Sequence, residues 1–297
     1  MGSFNWLRRK QKGDRVTPTI YIEGGRQRAA GVPYPFPRDV EEMNRLDFQH
    51  YLLRAALQGN FAAPITAPGS ILDVGTGTGR WAREMAQLFP IAAVVGMDIV
   101  TPPIEDALAD TLPGRYTFVP GNVLEGLAFD DASFDFTHMR FLISALPRDR
   151  WPFIMRELTR VTRPGGWVES VEPAPLAEAG PAVSQLMELA DALFARRGIY
   201  MNPLERVDIG ELMYANGLAD VVTRVVNLPV GRYGERLGTL MATDTFAAYR
   251  SLGGLIAAQG FMTQEQFDAL FAQAQAEIDS AGYRCVAPVY IAYGRRP

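Results

Sequence analysis

Three glycines at alternate positions, Gly75, Gly77 and Gly79, follow the apolar run Ile71-Leu72-Asp73-Val74 and precede a helical pattern opening at Arg80-Trp81. Glycine lets the backbone turn sharply and lets a ligand lie against bare main chain. A strand, a glycine turn and a helix N-terminus in that order form a site for a nucleotide-like cofactor. Asp98 closes a second apolar run, Val94-Val95-Gly96-Met97. Its carboxylate can accept hydrogen bonds from both hydroxyls of a ribose. His138 ends a further run, at the carboxyl edge where open α/β sheets place their ligands. Cys285 is the single cysteine, which excludes an intrachain disulfide and a cysteine metal cluster. No grouping of histidines and carboxylates stands out as a metal site.

The spacing narrows the cofactor. The dinucleotide fingerprint G-x-G-x-x-G/A needs a small residue where this chain has Arg80, whose bulk opposes close helix–strand packing beside a pyrophosphate. No Lys-Ser/Thr follows the loop, so a P-loop is excluded. An acid such as Asp98 serves both NAD and S-adenosylmethionine (SAM) sites and does not separate them.

These residues need a scaffold, and the pattern supplies one. Candidate strands cover 71–74, 92–98, 116–119, 134–139 and 166–172. Trp81, Met85, Leu88 and Phe89 recur at helical spacing until Pro90. Trp151, Ile154, Met155, Leu158 and Val161 mark another helix, closed by Pro164-Gly165-Gly166. This rhythm predicts an open, mostly parallel sheet with helices on both faces. Upstream, Asp39 and Glu42 read as a capping box for a helix with Met43, Leu46, His50, Leu53 and Leu57 as its apolar stripe. Downstream, helices are expected up to Gly198 and over about 208–217, 239–258 and 264–280, the last with Thr263 and Gln266 as a capping box. A β-rich run lies at 221–226. A final strand over 286–293 carries Pro288, which suggests that it lies near an edge.

The 297 residues hold ample apolar content for a core, and a net charge of −4 without blocks of like charge argues against nucleic acid as a partner. Arg8, Arg9, Lys10, Lys12 and Arg15 form a basic patch that reads as a solvated end. There is no signal peptide and no run of roughly 18 apolar residues, so a soluble, cytoplasmic protein without membrane contact is expected.

At this point a resemblance becomes specific. Asp73-Val74-Gly75-Thr76-Gly77-Thr78-Gly79 resembles the first motif of class I SAM-dependent methyltransferases. Asp98 matches their second-strand acid, Gly121-Asn122-Val123 the segment that reads adenine, and Phe134-Asp135-Phe136 the fourth strand. Leu158-Thr159-Arg160-Val161-Thr162-Arg163-Pro164-Gly165-Gly166 is similar to their L-x-R-V-L-K-P-G-G motif. The lead-in, with Gly25-Arg26, Tyr34, Pro37, Asp39, Glu42, Arg45-Leu46-Asp47 and His50, resembles that of LaeA-like methyltransferases and of the actinobacterial teleocidin C-methyltransferase group. Arg28 departs from it, since LaeA-like members usually carry Tyr there.

The resemblance implies an α/β Rossmann-like seven-stranded sheet with an N-terminal lid and helix over 1–60, a SAM-binding core over 61–175, and completion of the core with inserted cap helices over 176–297. It implies that Gly75, Thr76, Gly77 and Gly79, through amides and bare surface, accommodate the methionine end of SAM, with Asp73 organising its ammonium. Asp98 and Ile99 would bind ribose and adenine, Asn122 and Val123 the adenine edge, and Arg140 would face the cofactor. Arg26 and Tyr34 would belong to the lid. His138 and Tyr200 are the catalytic candidates; Asp73 as a loop anchor, Asn122 as a turn residue and His50 as a core histidine are the plainer readings. Met187, Phe194, Met201, Met213, Tyr214, Met241, Phe246 and Tyr249, with Tyr200, are candidates for a substrate cap. The expected activity is methylation, at C, N or O, of a small, largely apolar natural product in secondary metabolism. A LaeA-like regulatory protein and, further off, a nicotinamide oxidoreductase are the alternatives. The N-terminal helix can pack on its own core or swap onto a second copy, which makes a homo-oligomer compatible with the sequence.

Overall fold

Ile71, Leu72 and Val74 have no polar face, and a strand of that kind is stable only where helices cover both sides of its sheet. The computed structural model, which describes residues 18–100, 115–201, 208–280 and 282–297, places this strand at the sheet's interior with all three side chains fully buried. The basic patch below residue 18 lies outside the described residues.

A short antiparallel hairpin, β1 (Ile20–Glu23) and β2 (Arg26–Ala29), precedes helix α1 (Val40–Leu57). The alternating region follows as β3 (Ser70–Val74), α2 (Arg80–Leu88), β4 (Ala93–Asp98), β5 (Tyr116–Pro120), β6 (Phe134–Arg140), α3 (Trp151–Val161) and β7 (Thr162–Pro173). Then come α4 (Pro181–Ala195), α5 (Ile209–Ala215), β8 (Ala219–Val230), α6 (Glu235–Ala258), α7 (Gln264–Asp279) and β9 (Cys285–Arg295). The seven-stranded sheet has the order β5-β4-β3-β6-β7-β9-β8. Its first five strands are parallel, and β9 runs antiparallel to both β7 and β8. The sequence-based expectation of a seven-stranded Rossmann-like sheet holds.

Three hydrophobic clusters sandwich the sheet. Trp81, Ala82 and Met85 of α2 pack on Ile71, Val94 and Phe136. On the other face Ile154, Met155 and Leu158 of α3 cover Leu72, Val74 and Met139. The third cluster joins α1, α4, α6 and α7 around Leu53, Leu186, Leu193, Leu255 and Phe267. Helix α1 thus packs within its own chain. No helix among the described residues is long and apolar enough to cross a membrane.

Local expectations are refined. Pro288 lies near an edge, as expected, but one strand in: β9 is flanked by β7 and β8, and β8 is the edge strand at that end. Pro288 is tolerated because β7 ends at Pro173, opposite Val289, so no ladder bond needs the missing N–H, while the Pro288 carbonyl still accepts from Ala174. The Asp39 box is half made. Asp39 caps the Glu42 N–H, but the Glu42 carboxylate turns to Arg45 instead of reaching back. The Thr263–Gln266 box is complete. Helix α6 starts at Glu235, four residues before the expected point, and β7 starts at Thr162, ahead of the glycine pair, with an irregular register near Phe134.

Candidate functional site

The glycine loop leaves the carboxyl end of β3 with φ of +70° at Gly75, +56° at Gly77 and +74° at Gly79, a region closed to most side chains. Gly75 and Gly77 line a cavity of about 370 Å³. Gly79 does not; a Cβ there would stand 2.6 Å from the Tyr116 hydroxyl. The three amides are engaged inside the protein. Gly75 N–H donates to the Met97 carbonyl, Gly77 N–H to Asp98 Oδ2 at 2.9 Å, and Gly79 N–H to the Thr76 carbonyl. What the loop offers a ligand through Gly75 and Gly77 is therefore backbone surface; the expectation of glycine amide donors is corrected, because β4 takes the amides of Gly75 and Gly77 and the loop itself takes that of Gly79.

Asp73 anchors the loop. Its Oδ2 accepts from Thr76 Oγ1 at 2.6 Å and its Oδ1 from His138 Nδ1 at 2.9 Å. His138 Nε2 is buried without a hydrogen-bond partner. Asp73, His138 and Glu169 stand level on β3, β6 and β7. Burial pushes the Glu169 carboxyl up, while its Oε2 accepts from the backbone amides of Ala62 and Ala63.

At the end of β4 Asp98 receives Gly77 N–H and Ile99 N–H, and Arg38 Nη1 lies 3.3 Å from its Oδ1. Arg38 carries no sequence signal of its own, although it lies between Pro37 and Asp39 of the lead-in. It also lies over the Tyr34 ring, 5.0 Å from the centroid. Asn122 and Val123 line the cavity, and the Asn122 side chain caps the turn Val123–Glu125 by accepting from Leu124 N–H. The turn reading of Asn122 and its position at the cavity are compatible.

Tyr34 lines the cavity and Arg26 does not. Arg26 grips Asp39 at 2.5 Å and Glu41 at 3.2 Å, fixing the start of α1. Arg28, the departure from the lead-in pattern, is buried and donates to the carbonyls of Glu23, Pro35 and Ser251, tying the hairpin to the following segment and to α6. The stripe Met43, Leu46 and His50 of α1 faces the cavity. Arg80 is held by Asp47 at 2.5 Å.

Arg140 and His50 meet at the inner end. Arg140 Nη2 donates to His50 Nδ1 at 3.1 Å, and His50 Nε2 faces Glu84 Oε2 at 3.1 Å. Since arginine only donates, His50 must accept at Nδ1 and carry its proton on Nε2. Burial and the neighbouring Arg140 hold His50 down at about 4, so it is neutral near pH 7.

The cavity continues onto α4 and α6. Of the cap candidates, Met187, Phe194, Met201, Met241 and Tyr249 line it. Met213 and Phe246 pack in the core instead, Tyr214 is exposed, and Tyr200 lies outside the lining although its neighbour Met201 belongs to it. An acid at the end of β4, a glycine turn, a capped turn at Asn122 and a half-buried arginine, all lining one cavity, are chemically suited to SAM.

Comparisons with known proteins agree. Residues 71–166 match the family model of a methyltransferase domain. The chain is 39% identical over 142 residues to methyltransferase pytC of Aspergillus terreus, covering 47% of this chain and 41% of that protein. It therefore spans about two fifths of that relative's length. It is 31% identical over 221 residues to methyltransferase str2 of Strobilurus tenacellus, covering 70% of this chain and 74% of that protein. Phosphoethanolamine N-methyltransferase 2 of Haemonchus contortus, solved with SAM, matches with a TM-score of 0.51 at 18% identity, over 86% of this chain and 52% of that one, a likeness of fold. On this evidence the chain belongs to the class I SAM-dependent methyltransferases.

Proposed function

We propose that the protein transfers the methyl group of SAM to a small, largely apolar acceptor in secondary-metabolite biosynthesis. The observation that carries this reading is the continuity of one cavity, from Gly75 and Asp98 at the cofactor end to Met187, Phe194 and Tyr249 at the other. Bound SAM supplies an electrophilic methyl on a sulfonium. Transfer needs an in-line nucleophile about 3 Å from that carbon, with water excluded. Asp98 and Ile99 hold the nucleoside, Asn122 and Val123 meet the adenine edge, and Gly75 and Gly77 let the cofactor lie against the loop. The segment 32–38, tied to α6 through Arg28, serves as the lid that keeps water out. An apolar arm suits a step in which positive charge is lost. His138 acts as a positioning residue: its Nδ1–H is given to Asp73 and its ring is buried, so it fixes the loop anchor and does not take a proton from the acceptor.

The test is to incubate the protein with methyl-labelled SAM and a small-molecule extract of its own cells. Label recovered in a small, apolar product supports the reading, and label recovered on protein sinks it. Calorimetric titration with SAM and with NADH addresses the class: tight NADH binding without SAM binding would reverse it.

A further inference from the structure

Four arginines line the cavity, and three are committed to carboxylates. Arg38 is paired with Asp98 at 3.3 Å, Arg45 with Glu42 at 2.6 Å and Asp244 at 2.9 Å, and Arg80 with Asp47 at 2.5 Å. Arg140 differs. Among the described residues its guanidinium bonds only the imidazole of His50, a neutral acceptor. Asp73, Glu84, Glu169 and Glu172 attract it from a distance, and burial disfavours its charge. A guanidinium has five N–H donors in a planar fork that matches a carboxylate bidentately, so most of this fork is unclaimed by the protein.

Its placement is specific. Met139 is level with Val74 in the parallel register of β6 and β3, which brings Arg140 level with Gly75, the first residue of the glycine loop. Phe141, at φ +58°, then turns the chain away from the sheet. The guanidinium is fixed from behind by a chain of partners. Arg54 Nη1 and Asn60 Nδ2 hold Glu84 at 2.7 and 3.0 Å, Glu84 faces His50 Nε2, and His50 Nδ1 receives Arg140.

We propose that Arg140 is the receptor for the α-carboxylate at the methionine end of SAM, and that His50 is the positioning residue that aims it. This rests on the cavity being a SAM site. A zwitterionic amino-acid end brought to Gly75 needs a cation for its carboxylate, and Arg140 is the cavity arginine not already paired with one. His50 serves because it accepts without adding charge; an acid in its place would pair with Arg140 and compete with the ligand.

The experiment compares S-adenosylhomocysteine with 5′-methylthioadenosine, which keeps the nucleoside thioether and lacks the amino-acid end. By calorimetry, Arg140→Met should lower affinity for S-adenosylhomocysteine by about 10- to 100-fold, the range of a lost charge-assisted pair, and leave methylthioadenosine unchanged. His50→Phe should cost about two- to tenfold, again for S-adenosylhomocysteine alone, and His50→Asn, whose amide oxygen can accept near the Nδ1 position, should restore part of it. Equal losses for both ligands, or no loss for either, overturn the inference; in the second case Arg140 would face an anionic group of the acceptor. A second readout needs no variant. The chain has two histidines, so the ring ¹⁵N spectrum resolves to His50 and His138. S-adenosylhomocysteine should shift His50 Nδ1 and methylthioadenosine should not; a shift with both or with neither counts against the inference. If the unaltered chain binds neither ligand, the methyltransferase reading itself fails.

Discussion

The imidazole of His138 lies flat on the indole of Trp81, with centroids 3.8 Å apart and planes 4° apart. Trp81 sits in the first turn of α2, and its Nε1–H is held by the Asn60 carbonyl at 2.7 Å. The stack fixes the plane of the His138 ring, Asp73 selects the flip that places Nδ1 on it, and Asp73 in turn holds Thr76 of the glycine loop.

His138→Phe therefore separates two contributions. The phenyl ring can keep the stack, while Asp73 loses a buried donor, at a cost of about 1–3 kcal/mol. The variant should fold, unfold at lower urea, and bind SAM more weakly because Thr76 is less firmly held. Urea titration and calorimetry on the same preparation check both. Unchanged stability and affinity would show that Asp73 does not depend on His138.

Gly79 carries φ +74° and abuts Tyr116. Gly79→Ala should destabilise by about 1–2 kcal/mol from backbone handedness alone, with a further steric cost against the Tyr116 hydroxyl. Gly79→Ala combined with Tyr116→Phe should recover the steric part and leave the backbone part. A double-mutant cycle in denaturant resolves the two; strict additivity would remove the steric contribution.

The core of the site was legible because its signals are local. The glycine turn, the acid at the end of a strand and the capped turn at Asn122 are each set within a few residues. What escaped was set by distance along the chain. Arg38 finds Asp98 sixty residues away, and Arg45 finds Asp244 across 199. The α1 stripe read as core lines the cavity in its first half, because an apolar face does not say whether it meets protein or ligand. Pro288 pointed to the neighbourhood of an edge because proline lacks a donor, and the register adds that β7 has already ended where that donor would be missed.

Glu172 is fully buried near the end of β7, where its Oε2 accepts from Ile143 N–H at 2.9 Å. Burial pushes its carboxyl up to about 8. The folded state then binds a proton more tightly than the unfolded chain, whose glutamates titrate near 4.3. Stability from this group is fully present below about pH 4.3 and is lost as pH rises toward and through 8. Wild-type stability should fall between about pH 4.5 and 8 and level off above that, and Glu172→Gln should flatten that slope. Urea midpoints at several pH values test it, and an identical slope in both proteins would remove Glu172 as the source.

Arg45 bridges two helices by meeting Glu42 on α1 and Asp244 on α6, with Gln49 Nε2 also on Asp244 at 2.9 Å. Both acids are pushed up by burial, and Arg45 counters that push. Arg45→Met leaves two buried carboxylates without a cation, and breaking a buried pair in this way costs about 3–5 kcal/mol. The loss should depend on pH with a defined sign. Without Arg45 the folded-state pKa values rise further, so the variant regains stability as pH falls and the acids take up protons. Adding Glu42→Gln and Asp244→Asn should restore most of the loss at pH 8, because neutral amides need no counter-ion. Urea unfolding of the single and triple variants at pH 8 and pH 5.5 gives the answer. A single variant equally unstable at both pH values would mean that Arg45 contributes packing along its stem instead of charge.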